Sequence, residues 1–415
     1  MTALQRFGDA LHRRQDVVRR VQWAMVALYL VLLLLPPLLP AAPDARALVT
    51  LARLAEALFW GVWWPGVILS TLLFGQFWCG LFCPDGAVTE AASRHGRALK
   101  VPAGLRWPGW PLLGFAALTL AGDLGGVQYD ALGTLLVVGG SSAAALAVGA
   151  LYGRGKRVWC RYLCPMAGLF SILARASALH FRVDRTAWDA AARPVPKPVD
   201  CPLLLDVRRL TSNEKCNMCG RCSGHRNAVA LAARPLGAEI ATLEEEEARG
   251  WEALGIAFVL VGLTWAGIHW RGSPWHGWLL TAIGPLGGWG DAAAALAAVL
   301  LPALTLGAAT AALLLLAAGG RRIAAYRLAY GLIPLAGLGL FLGALEHSLA
   351  ILQREGVEAL AVLPWLRAAV LAAGVAWSAR LGRPLAPSRA SYAVYLATLV
   401  LLALCHQGAP VAAHP

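Results

Sequence analysis

Nine stretches of this chain are apolar for roughly the length of a bilayer crossing, which takes ~20 residues of helix. They run over residues 21–43, 57–84, 107–122, 131–153, 253–270, 292–320, 328–345, about 359–379, and 390–407. Only one of them contains a charge, Arg367. A backbone in hydrocarbon must satisfy its own hydrogen bonds, so each stretch reads as a transmembrane helix. Composition agrees, with 58% hydrophobic and 14% charged residues, against about 45–50% and about 25% in a soluble domain. A soluble enzyme, a disordered chain and a secreted disulfide scaffold are set aside. The expected fold class is an all-α polytopic membrane protein of about nine helices, interrupted by a polar, proline-rich segment over residues 181–250.

The net charge of +13 has two readings, nucleic-acid binding or membrane topology. Position decides between them. With the N-terminus inside, every Lys and Arg except Arg46, Arg53, Arg271, Arg354 and Arg367 falls on the inner side. The opposite orientation reverses that bias, so the charge is a positive-inside signal and nucleic acid is not an expected partner. The basic N-terminal stretch precedes an apolar run too long for a signal peptide, with no small-residue cleavage site after it. It is expected to be an amphipathic, interfacial lead-in to the first span. The Gly/Pro/Trp-rich stretch 272–290, with Trp275, Trp278 and Trp289, suits an interfacial loop or a short re-entrant segment in the headgroup layer.

Eight of the nine cysteines lie on the inner side, the compartment expected to be reducing. Cys79-Gly-Leu-Phe-Cys83-Pro84 closes the second span, and Cys160-Arg-Tyr-Leu-Cys164-Pro165 follows the fourth. Each is preceded by a tryptophan, Trp78 or Trp159, so Trp-Cys-x3-Cys-Pro is an internal repeat. Each repeat runs on into an expected helix, over 87–99 and 167–179. One pair cannot complete a four-ligand site; two pairs on adjacent helix ends can. The polar segment holds Cys201-Pro202 and then Cys216-Asn-Met-Cys219-Gly-Arg-Cys222. That C-x2-C-x2-C spacing wraps three thiolates around one cubane iron–sulfur cluster, and a remote Cys-Pro supplies the fourth. A ferredoxin run would continue x3-Cys-Pro, but here Arg226 and Asn227 stand in that place. Cys201 is the natural fourth ligand. Two four-thiolate sets result, Cys79, Cys83, Cys160 and Cys164 in the membrane region, and Cys201, Cys216, Cys219 and Cys222 in the loop. Exchange of the Cys-Pro cysteines between sets is equally compatible with the spacing, and Cys405 is unassigned. Structural zinc is the competing reading of the loop, although zinc favours two separated C-x2-C pairs or Cys/His mixtures. A redox dithiol would use C-x-x-C.

Over residues 20–235 the paired Cys-x3-Cys-Pro motifs and the C-x2-C-x2-C loop resemble the membrane polyferredoxins of the NapH, NosR and CcoG type. The resemblance implies two 4Fe–4S clusters and electron transfer at the bacterial cytoplasmic (inner) membrane. The N-terminus and clusters would be cytoplasmic and the C-terminus periplasmic. It also implies exchange with quinol or a soluble donor on one side and a respiratory reductase on the other, or assistance to oxidase copper-site assembly. The chain departs from that pattern in having one C-x2-C-x2-C run and a further five-span half. The domain expectation is a four-helix membrane region with both repeats (1–180), a cytoplasmic ferredoxin-like iron–sulfur segment (181–250), and a five-helix membrane region of unknown role (251–415).

Other residues carry finer expectations. Arg161 and Arg221, beside cluster cysteines, would favour the reduced, more anionic state, or are positive-inside surface residues. Asp85 and Glu90 would relay protons from a quinol, or are solvated interfacial carboxylates, the more frequent situation. His225 is a tuning residue or a loop histidine. In the second half His269, His347 and His406, with His276 and His414, lie near the outer face. They suit a haem b, copper or quinol site, or are polar residues reaching water at helix ends. Gly- and Ala-rich helices there allow close packing within the chain or with a partner subunit.

The function expected is a membrane-bound electron-transfer subunit rather than a self-contained enzyme, relaying single electrons to a partner protein. The alternatives are a metal-reducing accessory protein for oxidase or copper-site assembly, and an iron–sulfur redox sensor.

Overall fold

The computed structural model describes residues 2–39, 49–190, 198–284 and 287–409; Arg46 and His414 lie outside the described residues. Among these, eight helices are long and apolar enough to cross a membrane: Gln15–Leu38, Leu51–Phe74, Ala131–Tyr152, Gly250–His269, Gly288–Ala317, Ile333–Arg354, Ala359–Leu385 and Arg389–Gln407. The remaining expected crossing is the helix Trp110–Gly125, of 16 residues. It is about 24 Å long, short of an ~30 Å hydrocarbon core. The chain is a multi-pass membrane protein. The stretch 272–290 contains a helix, Pro274–Ile283, started by Ser273, whose Oγ accepts from the His276 N–H at 3.2 Å. Trp278 and Trp289 stay 68% and 89% exposed, as side chains of the headgroup layer would, while Trp275 donates to the Ala298 carbonyl.

The chain divides into two compact units. The first comprises Met1–Leu34, Ser70–Gly114 and Val138–Ala238, and it holds the eight grouped cysteines. Its polar segment is not helical throughout. Strands β1 (Leu179–Val183) and β2 (Val229–Ala233) pair antiparallel, with Phe181 opposite Leu231 and Val183 opposite Val229. Alternation turns Phe181, Val229 and Leu231 to one face, where they bury Cys216, Met218 and Cys222. The small sheet thus covers the cysteine loop. The N-terminal helix Ala3–Arg13 is closed by a reciprocal cap, Gln5 N–H to Thr2 Oγ at 3.2 Å and Thr2 N–H to Gln5 Oε1 at 2.7 Å. Its apolar side packs on the same hairpin: Leu4 joins that core, and the open side of Gly8 faces Leu231 and Ser223. The amphipathic lead-in therefore has protein against its inner face. A two-stranded sheet has one apolar face to cover and few residues of its own to cover the rest.

The second unit comprises Leu35–Leu69, Phe115–Val137 and Glu239–Pro415. Its helices pack through small residues, with Ala294, Ala298 and Val299 fully buried. Several charges inside it are partnered. Arg367 is 5% exposed and donates through Nε to Glu346 at 2.8 Å. Glu252 accepts from the Tyr330 hydroxyl at 3.0 Å, and Glu56 pairs with Arg53 at 2.6 Å and with Arg354. Arg367, expected at an outer edge, is buried because a carboxylate one helix away makes burial of its charge tolerable.

Candidate metal centre

The repeat builds each cysteine pair in the same way. A short helix, Phe77–Leu81 or Val158–Tyr162, carries the first cysteine, and a longer helix starts at the proline after the second. Those helices, Pro84–Arg94 and Pro165–Leu173, begin two or three residues before the sequence suggests, because proline suits the first helical position, where no N–H is needed. Cys83 and Cys164 therefore occupy N-cap positions. Neither sulfur makes a cap hydrogen bond, but the first free amides of each helix, Asp85 and Gly86 for Cys83 and Met166 and Ala167 for Cys164, act to lower the thiol pKa against burial. A helix start favours negative charge, so each Cys-Pro is built to hold a thiolate.

Burial raises these thiols, and neighbouring thiols add to the effect. Burial, then Cys83 and Cys164, push Cys79 well above the ordinary thiol value. Burial, then Cys164, Cys83 and Cys79, do the same to Cys160. Cys83 is raised to about 11 by burial and then Asp85. Cys164 is raised to about 12 by burial, then Cys83, then Asp85. In the loop, burial followed by Cys216, Cys219 and Cys201 pushes Cys222 well up. Cysteines 79, 83, 160 and 164 thus act on one another, and Cys201, Cys216 and Cys219 act on Cys222. The four of the repeat keep some accessible surface while ringed by protein, and Cys216, Cys219 and Cys222 are buried. Cys405 is exposed and belongs to the other unit.

Eight thiols held this closely resist ionising together unless cations stand among them. Among the described residues no three or more His, Cys, Asp or Glu side chains could hold a metal ion as they stand. A single zinc would draw four sulfurs to tetrahedral edges of about 3.8 Å, given Zn–S bonds of about 2.3 Å. A cubane spreads its four thiolates over the corners of a cube of irons, so thiols that sense one another without converging on one point fit the cluster as a donor set.

The loop is pinned on both sides. Gln76 Nε2 donates to the carbonyls of Asn213 (3.1 Å) and Glu214 (2.9 Å), just before Cys216. Arg175 holds the Glu214 carboxylate at 2.8 Å. Met218 (φ 55°) and Gly220 (φ 76°) take left-handed turns that curl the chain between cysteines. Gly80, between Cys79 and Cys83, lies flat on the loop: a Cβ there would stand 2.1 Å from the Asn217 carbonyl oxygen and 2.8 Å from the Cys219 nitrogen. Two glutamines of the spanning helix Gln15–Leu38 reach the same place, Gln22 Nε2 to the Gly80 carbonyl at 2.7 Å and Gln15 Nε2 to the Cys219 carbonyl at 3.0 Å.

The pattern of the 4Fe-4S binding domain family matches residues 56–102 and 135–184, the two segments that carry the repeat. With the apolar helices, that makes the chain a 4Fe–4S membrane protein. No curated protein and no solved structure matches it.

Several side chains stand differently from the sequence reading. Glu90 is not a solvated carboxylate; it is 6% exposed and bonded to Arg157 and Arg221. Asp85 accepts from Ser142 at 2.6 Å. Arg221 is half-buried and ion-paired with Glu90, whereas Arg161 lies over the Tyr162 ring. His225 lies against Trp188, ring centroids 4.9 Å apart and tilted by 46°. In the second unit His269 and His406 meet with ring centroids 6.1 Å apart. His347 stands apart from them, on Tyr129 at 5.2 Å and 3.9 Å from Glu56. The sequence reading passed over Arg157 and Gln76. The signal was in the repeat, since each lies three residues before the first cysteine of its motif.

A cavity of about 170 Å³ opens between the spanning helix Gln15–Leu38 and Pro84–Arg94. Gln15, Gln22, Trp23, Glu90, His95 and Arg221 line part of it. The same Gln15, Gln22 and Arg221 side chains touch, or neighbour in sequence, both cysteine sets.

Proposed function

We propose that the protein is a membrane electron carrier with two 4Fe–4S clusters. One is bound by Cys79, Cys83, Cys160 and Cys164, the other by Cys201, Cys216, Cys219 and Cys222. It takes single electrons from a quinol or soluble donor and passes them to a partner respiratory reductase, at the inner face of a bacterial cytoplasmic membrane. The observation carrying this reading is the match of the 4Fe-4S binding domain pattern to both repeat segments, with the Gly80 peptide between Cys79 and Cys83 resting against Asn217 and Cys219 of the loop. A 4Fe–4S cluster supplies reversible uptake of one electron without large atomic movement. The chain's own part is electrostatic. Helix-start amides offset the thiolate charge at Cys83 and Cys164, and buried arginines offset charge gained on reduction. The cavity lined by Gln15, Gln22 and Arg221 is where a small donor would approach both sets at once. The cytoplasmic assignment rests on the placement of Lys and Arg along the chain.

Anaerobic purification with iron and sulfide counts tests the reading. Two cubanes contain about eight irons and about eight sulfides per chain. A colourless preparation holding zinc or no metal would refute it. Visible haem absorbance in the same sample would assign His269 and His406, and its absence would leave them as packing residues.

A further inference from the structure

Arg157 heads the large side chains that are fully buried, at 1% exposure. Its contacts run to both cysteine sets. Its Nη1 donates to the Cys79 carbonyl at 3.0 Å, and Cys160 is three residues further along the chain. Its backbone N–H donates to the Pro202 carbonyl at 2.8 Å, next to Cys201. Its Nε holds Glu90 Oε2 at 2.8 Å, and Glu90 Oε1 takes Arg221 Nη2 at 2.6 Å. Arg221 stands between Cys219 and Cys222. Cys160 and Cys219, one from each set, both act on the charge of Arg157. Burial would raise the pKa of Glu90, but Arg157 and Arg221 hold it below the usual carboxylate range, so the group is ionised at neutral pH. Glu90 also meets Arg94 at 3.4 Å and Arg221 meets Asp200 at 3.7 Å, so three guanidiniums and two carboxylates leave one net positive charge where the Gly80 peptide rests on Cys219, with Arg94 and Asp200 on the solvent side.

The internal repeat makes this arrangement lopsided. Gln76 occupies the position in the first motif that Arg157 occupies in the second, and it too is buried and bonded to carbonyls. Neutral Gln76 meets the same demand for carbonyl donors. The charge on Arg157 therefore needs another explanation than anchoring the chain. Each electron adds a negative charge at a buried site, and two such sites in contact oppose each other's reduction. A cation held between them relieves both.

We propose that Arg157 is a shared counter-cation, a positioning residue that sets the reduction potentials of the two clusters jointly, with Glu90 as its opposing charge. The inference rests on the two-cluster reading. The experiment uses the full chain, purified anaerobically in detergent. Iron and sulfide are counted first, and each cluster is then titrated potentiometrically by electron paramagnetic resonance. Arg157→Gln, which copies Gln76, should lower both potentials, each by at least tenfold in the reduction equilibrium, or 59 mV for one electron. Arg157→Lys should recover most of the loss, and Glu90→Gln should raise both potentials. Structural damage would move both variants in the same direction, so the opposite signs are decisive. Should Arg157→Gln fail to load iron, Glu90→Gln decides alone: an upward shift of both clusters supports the proposal. Loaded variants with unchanged potentials, or with only one cluster shifted, overturn the shared role and leave the two-cluster reading intact. A wild-type chain without iron overturns both.

Discussion

Gly80→Ala separates the tertiary contact from local preference, because the two predict opposite signs. Gly80 lies in the short helix Phe77–Leu81, where alanine is favoured over glycine by roughly 0.8–1 kcal/mol. Helix propensity alone therefore predicts a more stable protein. The contact predicts otherwise. The new methyl carbon would stand 2.1 Å from the Asn217 carbonyl oxygen, 2.8 Å from the Cys219 nitrogen and 2.9 Å from the Cys219 Cα. Close carbon–oxygen contacts settle near 3.3 Å, so the loop must retreat by about 1.2 Å. The obstacle is backbone, which cannot rotate aside as a side-chain tip can. Overpacking of this kind costs about 1–3 kcal/mol, enough to outweigh the propensity gain. The displaced atoms belong to Asn217 and Cys219, so the loop set loses its geometry first. The expected outcome is about half the wild-type iron, with the loop cluster's resonance lost, that of the membrane set kept, and a lower melting temperature. Full iron with both resonances unchanged would refute the claim that the Gly80 peptide and the loop are in contact.

Other outcomes follow from the same structure. Cys160→Ser and Cys216→Ser should each remove one cluster's resonance, a different one in each variant, and Cys201→Ser removing the resonance that Cys160→Ser removes would indicate ligands exchanged between sets. Cys405→Ser should leave iron content unchanged, measured on the same preparation, because that thiol is exposed and remote in sequence from the others. Glu346→Gln leaves the Arg367 guanidinium, 5% exposed, without its counter-charge, so thermal unfolding should reveal a loss of about 3–5 kcal/mol; a melting curve matching wild type would count against the pair. Burial, then Arg234, hold the His180 imidazole down at about 4, against about 6.5 in the unfolded chain. Between those values the unfolded chain binds a proton that the folded strand does not, so stability falls as pH drops from about 6.5 towards about 4. His180→Gln should flatten denaturation midpoints measured across that range, and identical slopes in the two proteins would contradict it.

The apolar runs, the Trp-Cys-x3-Cys-Pro repeat and the C-x2-C-x2-C spacing were legible in the sequence alone. Each is a local pattern: a bilayer fixes how long an uncharged helix must be, and a cluster or helix start fixes how far apart neighbouring ligands stand. That is why eight of nine expected crossings reappear as long helices, while Trp110–Gly125 comes out short. The helix starts at Pro84 and Pro165 were encoded as well, in the preference of proline for a first turn. Only the tertiary structure decided what meets across the sequence. Glu90 could not be placed against Arg157, 67 residues away, or Arg221, 131 residues away, because nothing in a lone carboxylate tells whether it will find a cation before it finds water. A glycine between Cys79 and Cys83 permits a close approach, but its contact with Cys219 depends on how the polar segment folds back beneath its hairpin. The joining of His269 with His406, and the separation of His347 from both, depended likewise on which helices became neighbours. Spacing along a chain determines what one segment can hold, whereas burial and pairing depend on the whole chain closing around it.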